Sequence, residues 1–342
     1  MRKLNMVRQD IETYENDLKR KESMQGCLVV KEVNNWIEDA KNRPIPNMLF
    51  NEFWYEGELA ILFADTNTGK SILAVQIADS LSRGKSISGF KLEGNPKKTL
   101  YLDFELSDKQ FENRCSNNYR DHYKFHDNFL RAEIDSNLEL PKKFKTVEDY
   151  LCKSIEISVK ENEVSVLIVD NLTFISADSE KAKYALGIMK TLKQLKATYG
   201  ISILVLAHTP KRDDSKPITK NDLAGSKMLM NFCDSSFAIG ASSKDSSFRY
   251  IKQIKQRNTE HLYHTDNVVL CQLRKQLNFL SFQFLEYTTE LEHLKTSGFV
   301  SIEERDSKMI QLLEQGLSNV KIGQELGISE ATVRQRKRKL NL

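Results

Sequence analysis

Gly69, Lys70 and Ser71 stand between an apolar run and an amphipathic one in the stretch Glu58 to Leu73, ELAILFADTNTGKSIL. That order suits a phosphate cradle. Where a strand turns tightly into a helix, successive backbone N–H groups converge, the lysine reaches the β and γ oxygens, and the hydroxyl holds Mg²⁺. Ala64, Asp65, Thr66, Asn67, Thr68, Gly69, Lys70, Ser71 and Ile72 are the residues expected to line it, with Ser71 on the metal. In the pattern G-x-x-x-x-G-K-[ST] the first glycine is replaced here by Ala64. Two readings follow: a degenerate loop that no longer binds nucleotide, or a subfamily that tolerates alanine. Strand before and helix after is the context that supports a working site.

Phosphoryl transfer from a bound triphosphate also needs a metal-holding carboxylate, a group that orients water, and positive charge near the transferred group. The run Val166-Leu167-Ile168-Val169-Asp170 puts a carboxylate at the end of a buried strand, where Asp170 can join Ser71 around Mg²⁺. Asp170-Asn171 also suits a turn. In Tyr101 to Gln110 an acid, Glu105, follows a strand, and Ser107 with Gln110 forms a capping box for the next helix. The C-terminal edge of an open α/β sheet is where ligands bind. Glu105 can polarise water there, or be a solvated strand end.

A parallel sheet is required to bring these residues together. From about residue 47 to 240, short apolar runs alternate with helical patterns, which predicts such a sheet with helices on its faces. Strands are expected at Leu59 to Phe63, Thr99 to Phe104, Val164 to Val169, Ile201 to Ala207 and Ser236 to Ile239; VSVLIV and ISILVLA suit strands buried on both faces. After residue 245 the runs FRYIKQIKQR, NVVLCQL and FLSFQFLEY alternate, predicting appended antiparallel hairpins. Residues 1 to about 42 suggest two helices, striped by Val7, Ile11, Tyr14 and Leu18, then by Val29, Val33, Trp36, Ile37 and Ala40. Each stripe needs a partner, on the same chain or on a neighbouring subunit. Arg43-Pro44-Ile45-Pro46 breaks the second helix.

The chain of 342 residues holds one large domain or two modest ones. No apolar run reaches the roughly eighteen residues that a membrane span needs, and the N-terminus lacks the apolar core of a signal peptide, so a cytoplasmic protein with no membrane partner is expected. Cys27, Cys115, Cys152, Cys233 and Cys271 are scattered, odd in number and without C-x-x-C spacing. They read as reduced packing residues. A formal net charge of +4 is too small to prove a nucleic-acid partner, so the distribution of charge decides.

The segment DFELSDKQFENR, from Asp103 to Arg114, resembles the part of DnaB-type replicative helicases in which a catalytic glutamate is followed by Ser, Gln and Arg. Those helicases belong to the RecA-like hexameric ATPases and often carry alanine at the first position of the phosphate loop, so Ala64 fits the resemblance. It implies ATP and Mg²⁺ as ligands, with Glu105 catalytic. Ile203 to Lys211, ILVLAHTPK, resembles the strand whose polar end senses the γ-phosphate; histidine there, His208, is similar to the RepA-type plasmid helicases. The following polar loop, with Leu223 to Lys227, corresponds to one that tracks single-stranded DNA, which assigns Lys211, Arg212, Lys216, Lys220 and Lys227 to phosphate contacts. Ile254-Lys255-Gln256-Arg257-Asn258 resembles the K-Q-R-N element, whose Lys and Arg cross to the neighbour's γ-phosphate. Lys255 and Arg257 are thereby catalytic in trans, and a homo-hexameric ring is the expected assembly.

Residues 303 to 340 read as a helix-turn-helix. Met309, Ile310, Leu312 and Leu313 mark one helix, Val320, Ile322 and Leu326 a second, and Gly327-Ile328-Ser329 the tight turn before a third capped by Ser329. The segment resembles the helix-turn-helix of resolvases and of LuxR-type or sigma-factor regulators. Ser329, Glu330, Thr332 and Arg334 would face base edges, and Arg336, Lys337 and Arg338, with Lys339, would neutralise phosphates. A three-helix packing module is the other reading.

The expected whole is α/β: a RecA-like P-loop NTPase over residues 47–295 with a mostly parallel central sheet and appended β-hairpins, preceded by a helical segment at 1–46 and followed by a small all-α helix-turn-helix domain at 300–342. The expected function is a DNA-coupled ring ATPase, a helicase of a plasmid or mobile element. The alternative is a nucleotide-switched, site-specific DNA-binding ATPase without unwinding activity.

Overall fold

The computed structural model describes residues 28–135, 137, 139–171, 181–210, 212–223, 226–295, 302–326, 328 and 330–340; the side chains of 181–186, 226–228, 302–305 and 331 are outside that description. The expected first helix, with Val7, Ile11, Tyr14 and Leu18, lies outside the described residues, as do Cys27, Lys211, Gly327, Ser329 and the side chain of Lys227.

Two compact units divide the chain after Ile45. In the first, α1 (Val33–Lys41) has no buried residue. Val29 precedes this helix: the branched pair Val29-Val30 favours extended backbone over a helical start.

The second unit begins with a two-stranded ribbon, β1 (Met48–Phe50) and β2 (Trp54–Tyr55), and continues through β3 (Leu59–Ala64), α2 (Lys70–Arg83), β4 (Thr99–Asp103) and α3 (Asp108–Arg114). A small ribbon of β5 (Ser116–Asn117) and β6 (Asp121–His122) precedes β7 (Phe129–Ala132), α4 (Val147–Glu161), β8 (Val166–Asp170), α5 (Lys181–Tyr199) and β9 (Ser202–His208). Then come α6 (Ser226–Phe232), β10 (Ser235–Ala241), β11 (Phe248–Lys255), β12 (Val268–Gln276) and β13 (Phe279–Thr288).

Among the described residues, nine strands form one sheet in the order β13-β12-β11-β10-β3-β9-β8-β4-β7. The six from β10 to β7 are parallel and β11 to β13 are antiparallel, which is the expected arrangement. Strand β3 is buried throughout because both its faces are covered. Leu59, Ile61 and Phe63 pack with Ile155 and Val159 of α4 and Leu192 and Leu195 of α5, while Ala60, Leu62 and Ala64 pack with Leu73, Ala74 and Ile77 of α2. This sandwich fixes the height of the strand ends. Strand β8 starts two residues later than the sequence suggests, since the Val164 N–H is taken by Val159 O in closing α4. Edge strand β7 was not expected at all.

The C-terminal residues form α7 (Ile302–Glu314), α8 (Asn319–Leu326) and α9 (Glu330–Lys339) around Met309, Ile322 and Val333. Gly316 makes the first turn at φ 76°, backbone that glycine adopts without a Cβ penalty. Arg336 of α9 joins α7 by two hydrogen bonds to Asp306, Nε to Oδ1 at 2.8 Å and Nη2 to Oδ2 at 2.9 Å.

Candidate active site

The phosphate loop leaves β3 at Ala64 and enters α2 at Lys70. Ala64 is still a strand residue, paired with Ile239 on one side and His208 on the other, so nothing in its backbone demands glycine. Gly69 is different. Its φ is 101°, and a Cβ there would stand 3.0 Å from the Phe282 ring. Thr66 and Asn67 are exposed at the loop tip, and the Thr68 hydroxyl donates to Asp65 O at 2.7 Å. Lys70 is folded onto the loop, its Nζ donating to Ala64 O at 2.9 Å and Asp65 O at 3.0 Å. Burial lowers its pKa, against the pull of Asp170, Glu105 and Asp65.

The sheet brings the other expected groups to this lysine. Lys70 Nζ lies 3.2 Å from His208 Nδ1, and His208 Nε2 lies 3.3 Å from Glu105 Oε1. A lysine ammonium only donates, so Nδ1 accepts and the proton sits on Nε2, which donates to Glu105. Asn171 Nδ2 donates to the same Glu105 oxygen. The His208 hydrogen bond, more than the opposing burial, holds the Glu105 pKa below the usual range. The capping box is formed: Ser107 accepts from Gln110 N while Gln110 accepts from Ser107 N, and α3 starts at Asp108, three residues beyond Glu105.

Asp170 ends β8 fully buried. Burial pushes its pKa up to about 6, although the neighbouring Ser71 and Tyr101 hydroxyls favour its charged form. Oδ2 accepts from Tyr101 Oη; among the described residues the buried Oδ1 has no hydrogen-bond partner, with the Ser71 hydroxyl close by. An orphaned carboxylate oxygen beside a hydroxyl is a hard, all-oxygen donor pair. It fits Mg²⁺, which keeps most of its water and takes few protein ligands.

One participant carries no signal in the sequence. Arg249, at the start of β11, is buried, and its Nε donates to Thr68 O at 3.0 Å, bracing the phosphate loop. Burial lowers its pKa. In FRYIKQIKQR it reads as one more outward residue of an alternating strand. Asp65 accepts a hydrogen bond from Thr209 Oγ1, joining the phosphate loop to the chain after β9. Beside them a cavity of about 220 Å³ is lined by Thr68, Thr209, Arg212, Asp214, Arg249 and Tyr250, among others.

The remaining expected residues fall elsewhere. Lys216 is exposed and 3.2 Å from Asp213; Arg212 donates to Lys216 O; Lys220 is exposed at a short 3-10 turn. Lys255 pairs in register with Ser236, at the beginning of β10, so Lys255 and Arg257 lie at the opposite edge of the sheet from Lys70. In α9, Glu330 and Arg334 pair at 2.6 Å, Thr332 and Arg338 are exposed, and Lys337 is half-buried. Arg336, expected to face phosphate, is instead committed to Asp306, because the i and i+3 spacing that buries Val333 turns Arg336 toward α7.

An α/β sheet with a phosphate loop at its C-terminal edge, and a strand-end carboxylate one strand beyond the neighbour of β3, defines a RecA-like P-loop ATPase domain. Residues 30–214, more than half of the chain, match the family model described as the AAA domain, and the protein belongs to that family. Residues 301–341 match the model described as bacterial regulatory proteins, luxR family. Among solved structures, the chain is similar to the KaiC-like protein PH0186 from the hyperthermophilic archaeon Pyrococcus horikoshii OT3, with 14% identity and a TM-score of 0.45, over 67% of this chain and 90% of that one. No curated protein matches.

Proposed function

We propose that this protein is an ATP-hydrolysing, DNA-coupled ring ATPase, a helicase of plasmid or mobile-element type, with each nucleotide held between two subunits. The observation that carries this is the separation of the parts. Lys70, His208, Glu105 and Asp170 converge at one edge of the sheet, while Lys255 and Arg257 occupy the other and cannot serve the same chain's phosphate loop. A neighbouring copy can supply them.

In this reading Lys70 exchanges the Ala64 and Asp65 carbonyls for phosphate oxygens, which also frees His208 Nδ1. Glu105, ionised and held by Asn171 and His208, orients the attacking water. His208 is then left between Glu105 and the γ-phosphate as the sensor. Mg²⁺, held by Ser71 and Asp170, would offset charge on the phosphate oxygens. Arg257 of the neighbour contributes the remaining positive charge, a role worth about 10³–10⁵ in turnover in P-loop NTPases. The loop after Thr209, with Arg212, Lys216 and Lys220, follows single-stranded DNA, and Asp65 links it to the nucleotide loop.

DNA-stimulated hydrolysis is expected to vanish in Lys70→Ala and in Arg257→Ala, and mixing the two proteins is expected to restore part of it. No recovery refutes action in trans. The match to luxR-family regulatory proteins favours a second reading, a nucleotide-switched ATPase that assembles at a chosen duplex site. Opening of a forked duplex separates them: hydrolysis without strand displacement favours the switch.

A further inference from the structure

The segment from Lys255 to Asn258 is anchored residue by residue on the N-terminal edge of the sheet. Lys255 Nζ donates to Cys233 O at 2.7 Å and to Met230 O, at the end of α6. Gln256 Nε2 donates to Phe53 O at 3.2 Å, and Asn258 Nδ2 to Glu58 Oε1 at 2.8 Å. Arg257 Nη1 meets Asp234 Oδ1 at 3.2 Å.

Asp234 is a rigid mount. Its backbone N–H donates to Leu59 O at 2.8 Å, and its Oδ2 accepts from Leu59 N at 3.0 Å. The carboxylate is thus locked to the first residue of β3, the strand that ends in the phosphate loop. Lys196 takes Oδ2 at 2.6 Å, leaving Oδ1 for Arg257. Burial works against ionisation of Asp234, but the Leu59 N–H and Lys196 hold its pKa below the usual range. Two cations therefore share the Asp234 carboxylate, each on its own oxygen. Asp234 meets Arg257 through Nη1. The exposures agree: the Asp234 side chain is 20% exposed and that of Arg257 is 54% exposed.

We propose that Asp234 is a positioning residue for the cation delivered in trans, gripping Arg257 from behind by one nitrogen and presenting the rest of the guanidinium to a neighbouring copy. This rests on the reading that Arg257 acts across a subunit boundary. An ordinary surface ion pair would have the same local geometry but no directional consequence.

Mixed-subunit rescue separates the two. In the pair Lys70→Ala plus Arg257→Ala, the first protein supplies the cation and the second the phosphate loop. Asp234→Asn, which keeps an acceptor for Leu59 N, is added to one partner at a time. On the cation supplier it is expected to lower the rescued turnover about tenfold, since a misplaced catalytic group is costly. On the other partner, whose own Arg257 is already absent, it has nothing to position, and rescue is expected to stay within about twofold of the parent pair. Lys196→Met, which leaves Asp234 charged and clasped to Arg257, is expected to keep rescue within about twofold of the parent pair in both arms. For Asp234→Asn, equal losses in both arms mean a structural role and overturn the proposal, as does no loss in either. Failure of the parent pair to rescue refutes action in trans itself and removes this inference with it.

Discussion

Lys252 and Glu290 form an ion pair shut off from water at the root of the loop that carries Arg212 and Lys216. Their side chains are 7% and 0% exposed. Lys252 Nζ donates to Glu290 Oε2, to Ile218 O at 3.0 Å and to Thr265 Oγ1 at 2.9 Å, while Glu290 Oε1 accepts from Ile218 N at 2.6 Å and from Tyr250 Oη at 3.3 Å. Both backbone groups of Ile218 are therefore held by the pair. Lys252→Met leaves a buried carboxylate without its counter-charge and takes a donor from Ile218 O. Breaking one side of such a pair costs about 3–5 kcal/mol, a large part of the ~5–15 kcal/mol that usually holds a domain folded. Lys252→Met/Glu290→Gln removes both charges and keeps an acceptor for Ile218 N, so it is expected to recover more than half of that loss. Urea unfolding followed through the fluorescence of Trp54, which is fully buried, measures both. DNA stimulation of hydrolysis is expected to fall further than basal hydrolysis in the single variant, because the loop root is released first. A single-variant loss below about 1 kcal/mol, or a double-variant loss equal to the sum of the two singles, refutes the reasoning.

Glu105→Gln is expected to lower ATP turnover by about 10²–10⁴ while equilibrium binding of a labelled nucleotide persists; loss of binding instead would assign Glu105 to the cradle. His208→Ala removes the hydrogen bond that chiefly lowers the Glu105 pKa, so protonation of Glu105 begins at higher pH. The acid limb of the turnover profile is accordingly expected to move upward, and an unmoved limb refutes the pairing. Gly240→Ala places a Cβ 2.0 Å from the ring of Tyr250, which is fully buried, and is expected to cost at least the ~1–3 kcal/mol of an overpacked core in the same urea assay. In α9, Arg338→Ala is expected to reduce the slope of log affinity for duplex DNA against log salt by about 1, whereas Arg336→Met acts through lost helix packing, seen as a lower thermal midpoint.

Local rules were enough to identify much of this protein. The Gly69-Lys70-Ser71 turn, the Ser107 and Gln110 capping box, the buried parallel strands and the alternating hairpins after residue 245 all follow from neighbours in the chain, because spacing and period act over a few residues. Asp170 at a strand end was legible for the same reason. Tertiary structure alone decided which groups meet. Lys70 reaches His208 across 138 residues of sequence, and His208 reaches Glu105 across 103, through strand neighbours that periodicity does not order. Alternation shows which side of a strand a residue occupies but not which end of the sheet it reaches. Thus Arg249 at the start of β11 braces the phosphate loop, while Arg257, just past the end of that strand, sits on Asp234 at the far edge. The antiparallel return of β11 beside β10 separates these two arginines, and no local pattern encodes that pairing.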